Sequence, residues 1–186
     1  LDVVRPADAN ETAGAWKTIL EQNERPAGLI LTRQNVPTFP RDEDGFTSAD
    51  GVAKGAYVLI DAADGNPDVI LIGSGSEVQL AVAAREQLAA EGISARVVSA
   101  PSLEWFAAQS AEYQESVLPK AIKARVSVEA GVALPWRGIV GDAGRSISLE
   151  HYGASADYER LYQEFGITAE AVAAAAKESI AEVAGN

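Results

Sequence analysis

The feature that most constrains the fold is an alternation of short apolar runs with segments of helical periodicity. The runs cover residues 57–60 (Tyr-Val-Leu-Ile), 69–72 (Val-Ile-Leu-Ile), 95–99, 125–129 and 146–149. Each has the length and β-branched content of a buried strand. Between and after them lie helical patterns. One begins at Val78 and carries Leu80, Ala81, Val82, Ala84 and Leu88, ending at Gly92. Others run through Trp105 and Phe106, over 111–117, over 156–165 and over 168–183. Strand and helix taking turns predict an α/β fold: a three-layer α/β/α domain with a mostly parallel sheet and right-handed crossovers. The first two runs are separated by Asp64-Gly65-Asn66-Pro67, so they either pair directly or flank the same sheet.

Upstream, residues 3–5 read as a strand end and Pro6 to Glu11 as a turn into a helix, with Asp8 or Asn10 as N-cap. Ala13, Trp16, Ile19 and Leu20 recur at helical spacing to about residue 22, and residues 28–32 form a second strand. From Gln34 to Gly55 the chain is polar and aperiodic, with Pro37, Pro40, Gly45 and the acidic run Asp42-Glu43-Asp44. Such a stretch is a linker or functional loop, which divides the chain into residues 1–35, 36–54 and 55–186.

Composition narrows the function. With 15 Lys plus Arg against 27 Asp plus Glu, the net charge of -12 repels polyphosphate backbones, so no nucleic-acid partner is expected. No apolar run approaches membrane-spanning length, and no membrane partner is expected. The absence of Cys rules out disulfides and thiolate metal sites and fits a reducing, cytoplasmic location. His151 is the lone histidine, which excludes histidine-cluster metal sites; its neighbour Glu150 points to the opposite face of an extended segment. The chain starts at Leu1 and contains no Met, so it is read as part of a longer protein.

Arg33 stands out because it follows an apolar strand at its C-terminal end, where ligands of open α/β sheets bind. A guanidinium there grips phosphate or carboxylate bidentately; the alternative is an ion pair with a linker carboxylate. Ser74, Gly75 and Ser76 join a strand to a helix N-terminus, a weaker anion site, and Ser76 serving as an ordinary N-cap explains them equally well. Glu129 ends a strand and could face a crevice. Trp16, Trp105 and Trp136 are assigned to packing or an interface.

Arg5-Pro6-Ala7-Asp8-Ala9-Asn10-Glu11 and Leu31-Thr32-Arg33-Gln34-Asn35 resemble the closing strand, helix and strand of the pyrimidine-binding domain of transketolases. The resemblance continues through Gly73-Ser74-Gly75-Ser76-Glu77-Val78, the 95–99 strand, Glu115 to Ala121, Arg125 to Gly131, Tyr152 to Ala156 and Phe165 to Thr168. Ala100 replaces a Met common in the family, and His151 falls where the family varies. On this resemblance, residues 1–35 end the thiamine-diphosphate pyrimidine-binding domain and residues 55–186 form the C-terminal domain. The parent enzyme would move a two-carbon ketol unit from a ketose phosphate to an aldose phosphate, using thiamine diphosphate and Mg2+ or Ca2+, as a homodimer. Arg33 would bind the substrate phosphate. The catalytic, cofactor and metal residues would lie upstream of Leu1, leaving the chain alone inactive and binding no cofactor. The alternatives are a regulatory or small-anion-binding module, and a related ketol transferase such as a dihydroxyacetone synthase.

Overall fold

In the computed structural model, which describes residues 1–22 and 24–185, the chain opens with two parallel strands, β1 (Asp2–Val4) and β2 (Ala27–Leu29), joined by helix α1 (Ala9–Glu21). Asp8 caps α1: its Oδ1 accepts from the Glu11 amide at 2.8 Å. Its Oδ2 accepts from the Phe39 amide and from Arg41, at 3.0 and 2.8 Å. One carboxylate thus ends the helix and pins the irregular segment that follows. The second strand is shorter than the expected 28–32, because beyond the bond from Ile30 N–H to the Val4 carbonyl the chain leaves the ladder.

That irregular segment is anchored at intervals, through Phe39, Arg41 and Val52. Phe39 stacks on Phe46 with ring centroids 5.3 Å apart, and a 3-10 helix over Ala49–Lys54 buries Val52. The main sheet then forms in the order β3 (Tyr57–Ile60), β5 (Ala95–Ser99), β4 (Val69–Gly73), β6 (Arg125–Val128), β7 (Arg145–Ile147). The first two apolar runs therefore share a sheet without touching, since β5 lies between them. β3 is the antiparallel edge strand, and the other three pairings are parallel. β7 starts one residue before its expected span and stops at Ile147.

The pleat sorts the core into two layers. Val69, Leu71 and Val97 face α2 (Val78–Ala90) and α7 (Ala169–Gly185), while Ile70, Ile72 and Val98 face α3 (Leu103–Ala107), α4 (Ala111–Val117) and the segment around α5 (Arg137–Val140). This is the three-layer α/β/α arrangement expected; α6 (Tyr158–Glu164) packs beside it. Val4, Ala7 and Ala15 of the opening unit belong to the same core as β3 and α2. Trp105 and Trp136 are buried, whereas Trp16 is about half exposed on α1. No described helix is long and apolar enough to cross a membrane.

Candidate functional site at the carboxyl ends of the strands

Three chain segments that leave strands at their carboxyl ends converge on one cleft. Ile30 to Gln34 follows β2, Gly75 to Glu77 follows β4, and Ala130 follows β6; Arg5 and Tyr162 complete a recess of about 210 Å3. This is where an open α/β sheet presents ligands. Arg33 lies on its rim, exposed, with no hydrogen bond or ion pair among the described residues. It also borders a second recess of about 550 Å3 with Asn35, Ser155 and Tyr158. The competing reading, a structural ion pair with a linker carboxylate, is not what the structure shows.

The wall behind Arg33 is built on Glu77, which is fully buried. Its Oε2 accepts from Arg5 at 3.0 Å and from the Ala130 amide at 3.2 Å, and its Oε1 accepts from the hydroxyls of Ser76 and Tyr162, both at 2.5 Å. Arg5 also pairs with Glu129 and donates to Ser74 Oγ at 2.9 Å. Burial works against the Arg5 charge, yet Glu77 and Glu129 hold its pKa above the ordinary value. Trp136 Nε1 donates to the other Glu129 oxygen at 2.6 Å. Burial, reinforced by Glu77, pushes the Tyr162 hydroxyl up to about 12, so it remains an O–H donor.

The Ser74 to Ser76 turn is committed within the protein. Gly75 N–H donates to the Arg5 carbonyl at 2.9 Å, Glu77 N–H donates to the Ser74 carbonyl, and the buried Glu77 carboxylate stands beside them. Ser76 does not cap α2; its proton goes to Glu77. Glu129 faces the cleft through Arg5. His151 lies apart, edge-on to Phe165 with its Nδ1 near the Tyr152 carbonyl, and Glu150 accepts from the Ala133 amide.

Glu77, Arg5, Gln34 and Tyr162 were not singled out from sequence. Only the position of Glu77 after the Gly-Ser-Gly-Ser turn marked it, since Arg5, Ala130 and Tyr162 are distant along the chain. Among the described residues no group of three or more His, Cys, Asp or Glu side chains is placed to hold a metal ion. The one carboxylate that lines the cleft, Glu77, is buried and fully taken up by Arg5, Ser76, Tyr162 and the Ala130 amide, which leaves no carboxylate free to hold a metal ion beside a diphosphate. The residues present therefore do not fit thiamine diphosphate with its metal, and no step is derived through that group.

Fold and site together define an α/β protein that presents an exposed arginine, without a partner among the described residues, at the carboxyl ends of its strands. Residues 55–168 match the family described as the transketolase-like TK C-terminal domain, and the chain belongs to that family. The transketolase of Mycobacterium tuberculosis is 59% identical over 186 residues, covering 97% of this chain and 26% of that protein. A chloroplastic transketolase of Craterostigma plantagineum is 52% identical, covering 96% and 34%. The chain thus spans about a quarter to a third of these relatives. Among solved structures, a Pichia stipitis transketolase in complex with sedoheptulose 7-phosphate superimposes with a TM-score of 0.86 at 36% identity, over 100% of this chain and 26% of that one. A split-gene transketolase described as an inactive beta4 tetramer superimposes with a TM-score of 0.69 at 25% identity, over 97% of this chain and 57% of that one.

Proposed function

We propose that this chain is the carboxyl-terminal part of a transketolase that transfers a two-carbon ketol unit between sugar phosphates, and that Arg33 holds the substrate phosphate. The carrying observation is the position of Arg33: an exposed, unpaired guanidinium on a cleft formed by three strand ends. Residues 1–35 then close the pyrimidine-binding domain, 36–54 link, and 55–186 form the C-terminal domain. The family match beginning at residue 55 supports that division. The carbon nucleophile and the electron sink would come from thiamine diphosphate, held with a divalent cation by residues outside this chain. This chain supplies charge, orientation and packing. The complex reported for the Pichia stipitis enzyme supports a sugar phosphate as ligand, and the inactivity recorded for the split-gene tetramer supports a piece that is silent alone. The intact enzyme is read as a cytoplasmic homodimer.

The test is Arg33→Ala in the full-length enzyme. Losing a charge-assisted contact should lower kcat/KM for a ketose phosphate by roughly 10- to 100-fold, mainly through KM, with little effect on the phosphate-free ketose. Equal losses on both substrates would overturn the assignment. Turnover by the purified 186-residue chain, free of parent enzyme, would overturn the inactivity.

A further inference from the structure

The segment carrying Arg33 has left its strand, so something other than the ladder must hold it. Gln34, the next residue, points its side-chain amide into the wall of the cleft. Its Nε2 donates to Ser76 Oγ at 3.2 Å and lies 3.4 Å from Tyr162 Oη. Those two hydroxyls are not free to orient. Each has one proton, and both protons are directed at the same oxygen of Glu77, at 2.5 Å each. A carboxylate only accepts, so the hydroxyls must donate to it and turn their lone pairs outward. Two outward lone pairs select the NH2 of Gln34 over its carbonyl. Glu77 is itself held from the opposite side by Arg5 and the Ala130 amide, so the direction of the whole arrangement is set from the core.

We propose that Gln34 is the positioning residue for Arg33, locked by Ser76 and Tyr162, whose hydroxyls are oriented by the buried Glu77. Resting on the phosphate-binding reading of Arg33, this gives the domain after the linker a function in substrate recognition: it sets the orientation of an arginine borne by the preceding unit. Neither Gln34, Ser76 nor Tyr162 needs to touch the sugar phosphate. The lock works by restricting how far the 30–35 segment can wander, and misplacement by about 1 Å is enough to weaken recognition markedly.

The experiment uses the full-length enzyme, with xylulose 5-phosphate and xylulose as paired substrates. Gln34→Glu keeps the shape but replaces the donor with oxygens that face lone pairs. The double variant Ser76→Ala, Tyr162→Phe removes both acceptors and keeps the ring of Tyr162 against Tyr158, 6.0 Å away. Each should lower the ratio of kcat/KM for the phosphorylated over the free sugar by about fivefold or more, through KM. In an Arg33→Ala background neither should lower that ratio further. A ratio unchanged in Gln34→Glu, or a loss that adds fully to that of Arg33→Ala, would overturn the lock while leaving the role of Arg33 intact. An Arg33→Ala enzyme with an unchanged ratio would overturn both.

Discussion

Glu11 is a carboxyl group that the fold holds completely out of water. Burial pushes its pKa up, against the pull of hydrogen bonds from Ser99 Oγ at 2.6 Å, the Ala7 amide at 2.7 Å and Tyr57 Oη at 2.7 Å; Asp8 adds to the rise. Arg41 donates to Tyr57 and pairs with Asp8, so the cluster is one connected network. A raised folded pKa means the native state binds more protons than the unfolded chain once pH exceeds the ordinary value of 4.5. Stability must therefore fall as pH rises from there through the folded pKa. Denaturant unfolding of the chain and of Glu11→Gln should show the wild type losing ground to the variant across that window, with a constant difference above it. Asp8 was one of two helix caps that Asp-Ala-Asn-Glu offered, with Asn10 the other, and Arg33 drew notice from its place after an apolar run. The partners of Glu11 were not, since Tyr57 and Ser99 lie 46 and 88 residues away. The same distance hid Gln34, whose acceptors are 42 and 128 residues along the chain.

Elements were more legible than contacts, because strand and helix periods are local. The alternation of Val69 and Leu71 with Ile70 and Ile72 maps directly onto the two faces of β4. What periodicity could not give is order: β5 separates β3 from β4, and only long-range packing decides that. Ile30 and Leu31 look like strand residues but are about half exposed beyond the end of β2, since the chain there serves the cleft. At the turn into β3, Gly55 has φ 82° and accepts from the Ser102 amide at 2.9 Å. A Cβ there would lie 2.2 Å from Phe106 N and 2.4 Å from the Ser102 carbonyl oxygen, both main-chain atoms. Gly65, with φ 74°, has nothing within 4 Å. Gly55→Ala should therefore cost more than about 3 kcal/mol in denaturant unfolding, against about 1 kcal/mol for Gly65→Ala.

At the scale of the whole molecule, the opening unit and the large sheet share one core and a buried network. Val4, Ala7 and Ala15 pack with Val52, Tyr57 and Val78, and Trp105 Nε1 donates to Asp2 at 3.0 Å. Removing residues 1–35 would strand Tyr57 and Ser99 without their carboxylate and leave Trp105 partly uncovered. Thermal unfolding of residues 36–186 should come about 10 °C or more below that of the 186-residue chain. The two-stranded sheet carries another consequence. Among the described residues β2 pairs with β1 alone, so its outer flank presents peptide N–H and C=O groups that a further strand would claim. In a preparation of this chain by itself, that flank is a template with nothing to copy, and like molecules at high concentration will lend each other a strand. Sedimentation velocity over a concentration series should show reversible growth in mass, and a proline placed at Ala27, whose N–H points away from β1, should abolish it.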